Sequence, residues 1–459
     1  MTRDLTRGNP AKLILTFTIP LLIGNIFQQL YSMADTIIVG RTIGVNALAA
    51  VGATGSLSFL IIGFAQGLTA GFSVITAQRF GAGDYSGVRR SAAVSAVLSG
   101  IITLLLTAVS VAGVRPLLEL MNTPADIIDG AYHYIVVIFW GIVASMLFNL
   151  LSNIIRALGD SKTPLLFLVV ACLLNIALDF LFILAFHRGV AGAAWATVIS
   201  QFVSGVLCLL YIGKRLPILR VEKQDWKLRR DVVFAHLRVG LPMAFQSSII
   251  AIGAMILQGA LNALGSVAVA AFTAAQKLDT LIIQPLMSFG ITMATYVAQN
   301  YGAGNLPRIR KGVRQCSVMS VAISLLGGLL VILAGKPLVR IFVGSGQNEV
   351  VDLAQVYLVI NGACYCILAL LFIYRYTLQG LGKSLVPTVA GVMELVMRTL
   401  AAVFLAQVIG FAGVSWANPI AWAGATIPLG IAYFVMISRL GKTAGQQQTA
   451  SQIRSKCGD

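Results

Sequence analysis

The sequence predicts an all-α polytopic membrane protein of about twelve transmembrane helices in two parallel six-helix repeats, and three observations carry that prediction. Of the 459 residues, 58% are hydrophobic and only 11% are charged, against roughly a quarter charged in an average soluble domain. Apolar runs recur along nearly the whole chain at lengths near the ~20 residues that a helix needs to cross a ~30 Å hydrocarbon core. The second half of the chain repeats the first.

The first apolar run, expected as a span over 13–39, is too long for a signal-peptide core and lacks a small-residue cleavage site, so it is read as a retained helix. Further spans are expected at 46–75, 91–114, 130–155, 163–186, 190–213, 236–261, 266–298, 313–335, 350–377, 385–408 and 412–437. Lys214 to Arg238 is the longest polar stretch and carries Arg215, Arg220, Lys223, Lys227, Arg229 and Arg230. It reads as a linker, which divides the chain into a first lobe (1–213), a basic linker (214–235), a second lobe (236–437) and a tail (438–459).

A net charge of +17 could suggest nucleic acid, but the basic residues sit in short stretches between apolar runs and not on a folded polar domain. They act as topology signals. The odd-numbered loops hold only Arg41, Arg115, Arg188, Lys336 and Arg340, and Lys277, Arg375 and Arg398 fall inside spans. The remaining Lys and Arg, Arg156 among them, lie in the N-terminus, the even-numbered loops and the tail, so the positive-inside rule puts both termini in the cytoplasm. A multi-pass plasma-membrane protein, in a bacterium the inner membrane, is expected, with lipid as its solvent and no obligate protein partner.

The internal repeat is clearest after spans 2 and 8, where AQRFGAGDYSGVRR from Ala77 matches AQNYGAGNLPRIRK from Ala298 at six of fourteen positions. Other anchors recur at similar separation: Ile19-Pro20-Leu21 with Leu241-Pro242-Met243, Leu158-Gly159 with Leu381-Gly382, and GVAGAAWA from Gly189 with GFAGVSWA from Gly410. Six spans per repeat make the halves parallel, as in some secondary transporters, and a route between them can open to either side by rocking.

Charge within a span is costly, roughly 2.5–3.5 kcal/mol on insertion scales, so each buried ionisable residue is a functional candidate. Asp35 lies in YSMADTIIVG in span 1; Asn175 and Asp179 in span 5 are spaced i, i+4 and share a helix face. If these converge, their oxygens with the Thr197 hydroxyl could hold Na+, or the two acids could share a proton. Gln28, Tyr31, Tyr134, Asn149 and Asn153 are spaced to form a polar cavity stripe in the same half. In the second half, Lys277 is a candidate counter-charge, Glu394 and Arg398 are spaced for an ion pair, and Arg375 is expected to snorkel to the interface. Pro20 and Pro285 are candidate hinges. The six cysteines make neither a disulfide framework nor a zinc pattern, and no nucleophile–base set suggests an enzyme.

The twelve-span repeat, YSMADTIIVG, the Gly-Ala-Gly loops, NIIRALGDSKTP and GVAGAAWATVISQ together resemble the multidrug and toxic compound extrusion (MATE) family over roughly residues 10–440. The resemblance implies two six-helix lobes forming a V, and efflux of amphipathic or cationic drugs driven by inward movement of Na+ or H+, with no organic cofactor. The chain looks like the DinF-like branch: Asp35 matches its first-helix acid, Asn175 and Asp179 its helix 5 pair, and Thr197 its helix 6 hydroxyl. Gln28, Tyr31, Tyr134 and Asn153 look like members of the same network. The acids that the norfloxacin-exporter branch typically carries in helices 7 and 10 are missing. A flippase for a lipid-linked or polyanionic substrate, which a strongly cationic cavity would favour, and a channel are the alternatives.

Overall fold

The computed structural model describes residues 4–121, 123–343 and 346–456, the side chains of 45 and 443–456 excepted. In chain order the helices are α1 (Pro10–Thr42), α2 (Val45–Gly81), α3 (Tyr85–Leu120), α4 (Ile128–Trp140), α5 (Ile142–Ala157), α6 (Lys162–Phe180), α7 (Gly189–Arg215), α8 (Arg230–Ala263), α9 (Ser266–Gly302), α10 (Leu306–Val343), α11 (Asn348–Gly380) and α12 (Leu385–Lys456). The described residues contain no strand.

Ten of these helices are long and apolar enough to cross a membrane, and α4 and α5, bent by 45° at Gly141, together make another span. A further break falls inside α12, where Ile409 and Gly410 leave helical geometry, so α12 crosses twice. The twelve expected spans are all present. Their ends run further than expected: α8 starts at Arg230, not 236, and α2 continues to Gly81. Hydropathy marks where the hydrocarbon stops, while Arg, Gln and Ala still favour helix beyond it.

The two halves form a V. Along α2, glycines at four-residue steps let α8 approach: a Cβ on Gly63 would lie 3.8 Å from Ser247, one on Gly67 2.5 Å from the Met243 carbonyl, and one on Gly71 2.5 Å from Gly240. Small residues at helical spacing permit such backbone approach in a bilayer, where packing replaces the hydrophobic effect. At the other end of the same helices the walls part, and a Cβ on Gly52, Gly55 or Gly259 would meet nothing within 4 Å. The related contact of α1 with α9 includes Thr18 to Thr292 at 2.8 Å and Asn25 to Ser288 at 3.1 Å.

The vertex lies at the end carrying the basic linker, called here the basic end. Both Gly-Ala-Gly sequences close their helices there with a left-handed glycine, Gly83 (φ 70°) and Gly304 (φ 67°). Asp84 N–H donates to the Arg79 carbonyl and Asn305 N–H to the Asn300 carbonyl, the wrap expected of a glycine-terminated helix. The first glycine of each triplet does something else. A Cβ on Gly81 would overlap the Gln299 backbone, and one on Gly302 would overlap that of Gln78.

The glutamines four residues before those turns lock the joint. Gln78 Nε2 donates to the Gly380 carbonyl at 2.9 Å, and Gln299 Nε2 donates to the Ala157 carbonyl at 2.8 Å. Each reaches from its own lobe to the other. Leu5, buried at 1% exposure, plugs the same place: its N–H donates to Gln299 Oε1 at 2.9 Å, and Arg308 donates to its carbonyl at 3.1 Å. With Leu13, Ile14, Phe17 and Leu21, Leu5 joins the second-half core, so the first turns of α1 pack with the opposite lobe.

Candidate functional site

Asp35 on α1 and Asp179 on α6, 8% and 0% exposed, bring their carboxyl groups into hydrogen-bonding contact. With its amide nitrogen toward Asp179, Asn175 donates to Asp179 Oδ2 at 3.0 Å and accepts the Thr197 backbone N–H at 3.1 Å. Tyr31 donates to Thr197 Oγ1 at 3.1 Å, and that hydroxyl donates to the Ala193 carbonyl one turn back on α7 at 3.2 Å. Tyr134 on α4 lies close enough to feel Asp35, Tyr31 and Asp179. Directly after Asp179 the helix widens into a π turn, Leu181–Ala185, a distortion frequent at functional sites.

The structure thus brings Asp35, Asn175, Asp179, Thr197, Tyr31 and Tyr134 together. Oδ1 of each acid is buried without a donor. Two carboxyl groups in contact cannot both be ionised without a proton or a small cation between them. Among the described residues no group of three or more His, Cys, Asp or Glu could hold a metal ion, so bound Na+ would depend on the two carboxylates with amide and hydroxyl oxygens.

Beside this cluster, between the lobes, lies a cavity of about 540 Å³, within the range of drug-sized sites. Tyr31 borders it, while Asp35 and Asp179 are not among its lining residues; Gln28, Asn149 and Asn153 line it. Asn149 is tied to its own helix, donating to the Ser145 carbonyl at 2.8 Å, and Asn153 donates to Thr69 at 3.1 Å. Apolar walls come from Phe59, Phe148, Met287, Ile291 and Phe372. The cavity lies above the Gln78–Gln299 joint, which closes it at the basic end.

Lys277 does not reach the cavity. Its side chain is exposed, and its neighbour Asp279 is the buried group, accepting from Tyr357 at 3.1 Å and from Tyr365, with Asn418 donating to the Tyr357 hydroxyl at 3.2 Å. A two-residue step on a helix turns the side chain to another face, so Lys277 and Asp279 point apart. Pro20 and Pro285 sit inside unbroken α1 and α9; the breaks fall at Gly141 and Ile409–Gly410, where no proline stands.

Arg375 does not snorkel. It is 4% exposed and ion-paired with Glu394 at 2.5 Å, while Arg398 holds the other oxygen of Glu394 at 2.7 Å. The expected Glu394–Arg398 pair is therefore a triad with excess positive charge, and Arg375 lines the cavity. Arg156, counted from sequence as a loop charge, lines it as well. Sequence inspection missed both as cavity residues. The signal was available in the repeat, because the anchors Leu158-Gly159 and Leu381-Gly382 pair Ser152 with Arg375 and Arg156 with Gln379.

A family model described as MatE matches residues 20–181 and 242–404, one stretch in each half. The "Probable multidrug resistance protein YpnP" of Bacillus subtilis is 30% identical over 77% of this chain and 79% of its own. A solved structure of the outward-facing conformation of a multidrug resistance MATE family transporter superposes with a TM-score of 0.87 at 26% identity, covering 95% of this chain and 98% of that one. A MOP superfamily transporter from Pyrococcus furiosus, described as having a binding pocket of reverse polarity, superposes at 0.88 with 26% identity over the same 95% and 98%.

Proposed function

The chain belongs to the MatE family of transporters, and on that premise we propose that it is a secondary antiporter that exports amphipathic compounds in exchange for an inward-moving H+ or Na+. The observation that carries this reading is the contact of Asp35 with Asp179 near Tyr31, beside a cavity shut at one end. Both acids come from the first half, as in the DinF-like branch. By the positive-inside rule the basic end is cytoplasmic, so the V opens outward and the cavity is reached from outside.

Coupling requires that cation and substrate prefer different conformations. A proton placed between Asp35 and Asp179 neutralises a charge that is costly in the bilayer interior. Its loss leaves two like charges in contact, which drives the α1–α6 packing to change. Tyr31 is the natural transmitter, because it touches Thr197 at the acid cluster and borders the cavity. A Na+ ion would act through the same oxygens.

Flipping of a lipid-linked polyanion gains support from the guanidinium groups in the cavity, but about 540 Å³ suits a small molecule better. The deciding experiment is the purified chain in liposomes, with proton and sodium gradients imposed separately and export of amphipathic dyes of either charge followed. Asp35→Asn is expected to abolish gradient-driven export while leaving the unfolding temperature within a few degrees. Undiminished export by that variant refutes the coupling role of Asp35.

A further inference from the structure

The acid pair accounts for coupling but leaves the charge of the cavity unexplained. Two guanidinium groups line it, Arg156 from α5 and Arg375 from α11, and no carboxylate is among its lining residues. Arg375 is neutralised only in part, since Glu394 also serves Arg398. Arg156 has no acidic partner among the described residues; its one hydrogen bond is a long one, Nη1 to Asn153 Oδ1 at 3.4 Å. Nε of both arginines is buried without an acceptor. A buried charge with unfilled donors is unfavourable, and an anionic ligand is what completes it.

The two arginines are placed by the repeat. Asn149, Ser152, Asn153 and Arg156 of α5 correspond to Phe372, Arg375, Tyr376 and Gln379 of α11, and all eight line the cavity. The lobes therefore present equivalent helix faces to one another, each carrying one arginine a turn apart. Guanidinium is the side chain best shaped for bidentate hold on carboxylate, sulfonate or phosphate oxygens. The acid pair that would attract a cation is not among the residues that line the cavity.

Building on the exporter reading above, we propose that the cavity takes amphipathic organic anions, the acidic head held by Arg156 and Arg375 and the apolar body lying along Phe148, Met287, Ile291 and Phe372. One site then serves the anionic substrate and another the coupling cation, so the two do not compete for the same carboxylates.

The test uses the full-length chain with carboxyfluorescein and ethidium as probes, anisotropy titrations of the detergent-purified protein and export from liposomes under each gradient. Carboxyfluorescein is expected to bind and to be exported. Arg156→Gln is expected to weaken its binding about tenfold or more, with Arg156→Lys intermediate, and neither variant is expected to weaken ethidium binding. Export of ethidium without binding or export of carboxyfluorescein overturns this proposal and leaves the exporter reading standing. If neither dye is exported, the exporter reading fails; anion binding that is lost in Arg156→Gln still supports the site, and absent anion binding overturns it. Alkyl sulfonate, alkyl phosphate and fatty-acid competitors then distinguish the head group.

Discussion

Replacing Gln299 by alanine is expected to release the closed basic end. The side chain is fully buried and makes two inter-segment hydrogen bonds, Nε2 to the Ala157 carbonyl at 2.8 Å and Oε1 from the Leu5 N–H at 2.9 Å. Each contributes about 0.5–1.5 kcal/mol net, and truncation leaves the partner groups buried and unpaired. In the alternate conformation, with the joint apart, both groups reach water and lose nothing. The closed state is thus destabilised selectively by about 2 kcal/mol, a shift of roughly thirtyfold in the conformational equilibrium. Gln78→Ala removes only the bond to Gly380, so about 1 kcal/mol and a shift of roughly fivefold are expected. Spin labels at exposed Asn46 and Ser266, at the starts of α2 and α9 across the open mouth, report the change as growth of a shorter-distance population. Unchanged distances in both variants, or a larger effect from Gln78, refute the joint as the element that holds this conformation.

Two further predictions concern the buried charges of the second half. Glu394→Gln leaves Arg375 and Arg398 side by side without a carboxylate and is expected to cost about 3–5 kcal/mol, seen as a large fall in the thermal unfolding midpoint in detergent; an unshifted midpoint would show that the triad is dispensable to the fold. Tyr365→Phe removes the donor from Asp279 Oδ1 and is expected to cost about 1–3 kcal/mol by the same measurement. A neutral outcome there would mean that solvent reaches Asp279.

The membrane class and the span count were legible because bilayer thickness imposes a length on every apolar run, whatever the packing. Helix ends were not, since α8 begins six residues before its apolar run does, in charged residues that hydropathy ignores. The i, i+4 step of Asn175 and Asp179 showed that they share a face, but not that Asp35, on another helix, meets them there. Arg375 was misread for a related reason. Its position near the end of a span suggested an interfacial charge, while the partner that holds it inside, Glu394, stands on α12 and contributes nothing to the local pattern. Arg156 follows two asparagines in a stretch that continues into a polar loop, so composition alone placed it with the topology signals. The repeated Ala-Gln and Gly-Ala-Gly residues were visible as a duplication, yet their physical task, a lobe-to-lobe contact, appears only once both copies occupy one place.

That contact is a single design drawn twice. Gln78 on Gly380 mirrors Gln299 on Ala157, and Gly81 against Gln299 mirrors Gly302 against Gln78, the self-complementary arrangement found across the two-fold axis of a homodimer. A patch that meets its own copy has little room to change in one half alone, because the other half is the mould it fits. Residues away from the axis carry no such obligation. The chain can therefore be pictured as a tethered dimer that keeps this glutamine–glycine contact in both lobes while the flanks differ, an acid pair in one lobe answered by no counterpart in the other.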